Sequence, residues 1–349
     1  MFFRYPIDAV ADNWLHDCLA EMIDSVKAAV SGNATPLAWP DIIPSARRIE
    51  LEPRYGLRDR WKIFVEKVVA LPKVEALDVL ATFENQNAIA TLLDGTTTCK
   101  RTRDLPETVQ AAVKDLFTFA YELVRNGDVR ARAYEVIDKK RPQRMCPFCG
   151  YEPMSAVNLP KDALDHYLCK EHYPFAAANL RNLAPIGHKC NSSYKLAKDV
   201  ILRDDGTPRR AFDPFTCDPV QVKEVLDQFD PASREATWAV QFDQNSEEVD
   251  TWNDVFSIKS RFEAEVLSEY EQWLRWFGDW ARQECARTGT TDPKQLLVSY
   301  ATTWARDDYS GRGFVRRPFF DRMIELYEST PSVKKYVENL VEFSLPSPA

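Results

Sequence analysis

The chain is poor in histidine, with four among 349 residues. It also has no stretch of about 18 uncharged apolar residues, which excludes a membrane-crossing helix on sequence grounds. It has no internal repeat and no low-complexity tract. The opening MFFRYPIDAVADNW lacks a basic region followed by an apolar core and a small-residue cleavage site. Neither a secretory signal nor a transit peptide is read there, and a cytoplasmic location is expected. Basic residues are outnumbered, 45 against 53, and the net charge of -8 argues against coating nucleic acid by bulk electrostatics. Four of the eight cysteines, Cys18, Cys99, Cys217 and Cys285, are scattered, which excludes a disulfide framework. In a reducing compartment a close pair is a metal clip, and Cys146 and Cys149 are the one such pair.

What is present is unevenly placed. Between Arg130 and Arg210 there are 15 Lys and Arg against 9 Asp and Glu, a balance of +6 that leaves -14 for the rest of the chain. At this length one large or two to three smaller domains are expected. Leu15, Leu19, Met22, Ile23, Val26 and Val30 recur at helical steps before SGN at 31–33. Four prolines make 35–53 irregular, and helices are predicted over Arg58–Leu71, over Val74–Ala81 and from Pro106 to the NG at 126–127. Phe262, Val266, Tyr270, Trp273, Phe277 and Trp280 form the stripe of one long helix, read as packing surface. Trp238 in TWAVQF marks a short strand. The predicted organisation is a helical region over 1–130, a metal-rich centre over 131–207 and a mostly helical region over 208–349.

The centre holds three of the four histidines, His166, His172 and His188, together with Cys146, Cys149, Cys169 and Cys190. The two-residue gap of CPFCG lets both sulfurs reach one tetrahedral zinc from a tight turn. The other half of the site should lie near Cys190, yet the position three before it is Gly187. His188 is the nearest replacement, with Cys169 and His172 as rivals, and buried thiols beside a core histidine are the plain alternative. ALDHYL alternates as a short strand, which places neighbours Asp165 and His166 on opposite faces unless the strand is distorted. NLAPI is a second strand, and CNSSYKLAKDVI a helix with Leu196 and Val200 on its inner face. A strand, loop, strand and helix with cysteines at each end is small enough to need its metal.

This order, Cys-x-x-Cys, Asp165-His166, Asn182-Leu183, Cys190-Asn191 and Lys195, resembles the HNH endonucleases over about fifty residues. The resemblance implies a fold that is mainly α with a small ββα-metal centre between helical flanks. It implies His166 as general base, Asp165 and Asn191 as ligands of a catalytic Mg²⁺ or Mn²⁺, and Asn182 as the residue bracing the loop. Cys146, Cys149, His188 and Cys190 then hold a structural Zn²⁺. Ligand softness separates the two metals, since sulfur and imidazole suit zinc and oxygen suits the working ion. Arg144 before the clip, with Lys139, Lys140 and Arg141, and Lys195 and Lys198 after it are expected to contact phosphates. GRGFVRRPFF offers a second basic and aromatic segment, for stacking on bases or for the core.

The function so implied is metal-dependent hydrolysis of DNA phosphodiester bonds, a chemistry that leaves RNA open as well. Nucleases of this family often serve anti-phage defence beside an ATPase or a sensor protein, and the acidic flanks offer a surface for such a partner. Oligomeric assembly is left open, and no membrane partner is expected. The alternative is a zinc-stabilised nucleic-acid-binding or adaptor module that does not cleave.

Overall fold

The computed structural model describes residues 3–140, 144–155, 164–303 and 312–342. The first half is helical: α1 Trp14–Ser31, α2 Arg48–Leu51, α3 Tyr55–Val69, α4 Lys73–Asn87, α5 Ile89–Leu93, α6 Glu107–Asn126 and α7 Asp128–Lys140. In α1 the expected stripe is the buried face, with Leu15, Leu19, Met22, Ile23 and Val26 all enclosed. Pro106 lies just outside α6, at its N-cap, where a missing N–H costs nothing. Helix α4 runs past the predicted Ala81 because Thr82, Phe83 and Gln86 continue its buried face.

The centre contains two three-residue strands. In β1 (Leu164–His166) and β2 (Leu183–Pro185), Leu164 pairs with Pro185, Asp165 with Ala184 and His166 with Leu183, antiparallel. The helix expected from CNSSYKLAKDVI is corrected to a six-residue π-helical turn, Cys190–Lys195. Leu196 stops it with φ 49°, and its side chain is exposed rather than inner. A leucine there accepts a backbone region that side chains disfavour.

The C-terminal half begins with a second antiparallel pair, β3 Val222–Asp230 and β4 Glu235–Phe242, of which TWAVQF lies in β4. Helices follow at α8 Glu247–Phe256, α9 Ile258–Arg261, α10 Tyr270–Thr288, α11 Pro293–Thr303, α12 Gly313–Ser329 and α13 Pro331–Glu342. The long helix expected from Phe262 to Trp280 is broken: Phe262–Val266 is a π turn, Leu267–Glu269 a 3-10 turn, and only Tyr270 onward is α. Phe262, Val266, Trp273 and Phe277 are nonetheless buried, so the stripe is packing surface. No helix among the described residues is long and apolar enough to cross a membrane.

Buried side chains form two clusters, and the small sheet lies at their seam. One cluster joins α1, α3, α4 and α6 to Leu164, Phe175 and Leu183. The other joins Cys146, Tyr167, Ile186 and the C-terminal half, and it also takes in Phe3, Tyr5, Ile89 and Leu93. The packing therefore crosses residues 130 and 207, as do the main-chain bonds Ala211 N–H to Leu93 O at 2.8 Å and Tyr5 N–H to Pro214 O at 2.7 Å. Phe175, from the loop between β1 and β2, sits edge-on to Phe117 at 4.9 Å and Phe83 at 5.9 Å. Burying such a ring contributes about 2–3 kcal/mol, enough to pin the loop against the N-terminal helices.

Candidate functional site

Cys146 and Cys149 face each other across a turn closed by Gly150 N–H to Cys146 O at 2.8 Å, with Gly150 at φ 77°. An isolated bridge between Met145 and Pro153 folds the chain back and carries Glu152 toward the same point. The sulfurs of Cys146, Cys149 and Cys190 and a carboxylate oxygen of Glu152 all lie within 4.8 Å of one another. Such a group can hold a metal ion such as zinc. His188 is corrected as the fourth member: it is exposed, and its Nδ1 faces Ser192 Oγ at 3.5 Å. Cys169 and His172 also lie outside the group. Glu152, three residues beyond Cys149, was missed; the regular spacing C-x-x-C-x-x-E was the available signal.

The thiols differ. Burial pushes Cys146 well up, and the neighbouring Cys149 and Cys190 add to it. Burial works the same way on Cys149, but hydrogen bonds from Cys146, Cys190 and Tyr151 and the charge of Arg261 outweigh it and hold that thiol low. A site containing one favoured thiolate is prepared for a cation.

The second constellation lies on the small sheet. His166 is 8 % exposed, and its Nε2 is 3.2 Å from Ala177 O. A carbonyl only accepts, so Nε2 carries the proton and Nδ1 keeps its lone pair. Tyr121 of α6 lies edge-on to the imidazole at 4.2 Å, and its hydroxyl donates to Leu164 O at 3.1 Å. Burial, then the charges of Lys170 and Lys195, hold the His166 pKa down at about 3, so the ring is neutral in ordinary buffers. Asn182 is fully buried; its Nδ2 donates to Leu168 O at 3.0 Å and Ala176 O at 3.2 Å, and its Oδ1 accepts Leu168 N–H at 2.6 Å. It therefore braces the loop that presents Ala177 O to the histidine.

Asp165 meets different neighbours. Its Oδ2 is 2.8 Å from Lys195 Nζ, whose side chain is only 1 % exposed and which also donates to His166 O at 2.8 Å. Burial raises the Asp165 pKa, and Lys195 opposes the rise. The expectation that Lys195 contacts phosphate is corrected: an enclosed ammonium with two internal acceptors cannot reach a polyanion. Lys198 is exposed and donates to Asp254 O at 2.9 Å and Val255 O at 3.3 Å at the end of α8. Asn191 is half-buried at the start of the π turn, its N–H on Gly187 O at 3.0 Å. Arg144 is exposed. Lys140 pairs with Asp8, and Arg141 lies outside the described residues. Phe319 and Phe320 are core, so GRGFVRRPFF loses its stacking role.

No family model, no curated protein and no solved structure matches the chain. The functional reading therefore rests on its own residues.

Proposed function

We propose that the chain is a metal-dependent nuclease of the HNH kind that hydrolyses DNA phosphodiester bonds with His166 as general base. The observation that carries the reading is the His166 tautomer. Asn182 fixes the loop, the loop carbonyl of Ala177 takes the Nε2 proton, and Nδ1 is left as an acceptor for a proton from water. The imidazole is neutral over the whole physiological range, so Nδ1 carries no proton, and its pKa of about 3 makes it a weaker base than a free imidazole.

Asp165 and Asn191 are the oxygen donors for Mg²⁺ or Mn²⁺ in this reading, and Lys195, seated against the Asp165 carboxylate, competes with the ion for it. When bound, such an ion neutralises charge building on the phosphorus oxygens. The basic island around the centre suits a polyanionic substrate. A place in anti-phage defence, beside an ATPase or a sensor, follows from the resemblance alone and belongs to the same proposal.

A second reading, a zinc-stabilised nucleic-acid-binding or adaptor module, is favoured by one relationship: Tyr121 covers the His166 ring while Lys195 neutralises Asp165. Plasmid nicking with Mg²⁺, Mn²⁺ and EDTA separates the two, with DNA retention on filters measured in parallel. The nuclease reading expects nicking that EDTA abolishes and that His166→Ala lowers by at least about 100-fold in a protein folded by circular dichroism. Retention of DNA without cleavage under every ion selects the second reading.

A further inference from the structure

Gly187 stands three residues before Cys190, the same separation as Cys146 from Cys149. A Cβ built on Gly187 would meet Glu152 Oε2 at 2.4 Å and its Cδ at 2.5 Å. The space a cysteine side chain would need at 187 is thus filled by a carboxylate from a different turn. That carboxylate is held from behind: Lys189 N–H donates to Oε1 at 2.7 Å and Cys190 N–H to Oε2 at 3.3 Å. Gly187 N–H points at Cys146 Sγ, 3.3 Å away, as a donor to that sulfur.

Arg261 supplies an independent observation. Its side chain is 2 % exposed, and Nη1 donates to Cys190 Sγ at 3.2 Å. The guanidinium lies over Tyr194 at 4.0 Å, and Nε donates to Tyr151 Oη at 3.1 Å. Nη2 is buried with no hydrogen-bond partner among the described residues. A buried guanidinium needs a counter-charge. Glu265, 3.8 Å away, is shared with Lys189 at 2.9 Å and Tyr194 at 3.0 Å. Arg261 therefore turns its charge toward the sulfur group it touches at Cys190. Three thiolates and a carboxylate around a divalent ion carry a formal charge of about -2, more than enough to compensate one guanidinium.

We propose that the chain holds a thiophilic divalent ion of the zinc class through Cys146, Cys149, Cys190 and Glu152, with Glu152 replacing the cysteine missing at 187 and Arg261 acting as the buried charge partner. Arg261 is a positioning residue, holding Cys190 Sγ toward the ion. Binding deprotonates whichever of the three thiols still carry a proton and releases those protons to solvent, and no redox change is involved. This inference does not depend on the nuclease reading.

The test uses the full chain, metal analysis and cobalt(II) substitution. Wild type is expected to bind one ion per chain, and X-ray absorption of the zinc form to count three sulfurs and one oxygen. Glu152→Ala should weaken zinc by at least about 10-fold in chelator competition, and Arg261→Met by about 10–100-fold without changing the ligand count. Gly187→Cys combined with Glu152→Ala should recover the lost affinity and raise the sulfur-to-cobalt charge-transfer intensity by about one third, four thiolates replacing three. A wild-type protein with no bound ion and no such band overturns the site. Glu152→Ala with unchanged affinity and spectrum removes Glu152 as a ligand, and a double variant without the added thiolate refutes the exchange of roles. Should Glu152→Ala fail to fold, the absorption count on wild type decides alone, and two sulfurs with two light atoms would contradict the assignment.

Discussion

Lys195 Nζ sits 2.8 Å from Asp165 Oδ2, a lysine in the π turn neutralising a carboxylate on β1 with both side chains largely removed from water. Breaking such a pair from one side strands the other charge. Lys195→Met should therefore cost about 3–5 kcal/mol in urea unfolding, while adding Asp165→Asn should restore much of it. The same variant tests the cation seat. If Asp165 binds Mn²⁺ once its ammonium is gone, manganese affinity read by electron paramagnetic resonance rises at least about 10-fold in Lys195→Met. Equal affinity in both proteins would place the working ion elsewhere.

The buried histidine gives stability a pH dependence whose sign is fixed. The folded pKa of His166 is lowered to about 3 against an unfolded value of about 6.5. A depressed folded value means the contribution is present above pH 6.5 and is lost as pH falls toward 3, because the unfolded chain takes up the proton first. His16, lowered by burial to about 4, adds in the same direction. His166→Gln keeps a donor for Ala177 O but cannot titrate. Between pH 6.5 and 4 the slope of unfolding free energy should drop by up to about 1.4 kcal/mol per pH unit relative to wild type. Parallel slopes would mean that His166 is charged in the folded chain.

Asn182 makes three buried hydrogen bonds, two as donor and one as acceptor. Asn182→Ala leaves those main-chain groups unpaired and should cost about 2–4 kcal/mol. Asn182→Asp puts an acceptor against two carbonyls and should cost at least as much. If the brace orients His166, both variants also remove nicking at concentrations where the protein is still folded, which separates positioning from simple instability.

The sequence made the helices of the first half legible because their apolar stripes are long and keep one period, as in Leu15 to Val26. It did not reveal the break at Val266, since a π turn followed by a 3-10 turn keeps the same residues buried while changing the backbone. Among site residues, the cysteines were readable from spacing, and Asn182 only through the resemblance to the HNH endonucleases. Glu152 was marked only by the C-x-x-C-x-x-E spacing, a weak signal because a carboxylate near a cysteine pair is ordinary until Gly187 is seen to leave room for it. Lys195 was misread for a related reason: composition counts a lysine as surface charge, and only tertiary packing shows Lys195 enclosed over Asp165. Tyr121 and Arg261 lie more than forty residues from the groups they touch, beyond the reach of any local pattern.

Asp199 binds three parts of the molecule through one carboxylate. Its Oδ2 accepts Arg101 Nη2 at 2.7 Å and Tyr173 Oη at 2.5 Å, and its Oδ1 accepts the N–H groups of Ile201 and Leu202 at 3.0 and 3.2 Å. Arg101 belongs to the segment between α5 and α6, Tyr173 to the loop that carries Ala177, and Asp199 follows the π turn. Tyr173→Phe removes the bond to Asp199 and the longer one from Arg101 Nε at 3.4 Å, and should cost about 1–2 kcal/mol. Asp199→Ala leaves a largely buried guanidinium and a buried hydroxyl unmatched, and should cost about 3–5 kcal/mol. Hydrogen exchange locates the damage. If Asp199 fastens the loop to the N-terminal helices, protection over residues 168–180 collapses in Asp199→Ala while that of α10 and α12 persists. A uniform loss across the chain would instead make the carboxylate part of one global unfolding unit, and the loop's position over His166 would then have to come from Phe175 and Asn182 alone.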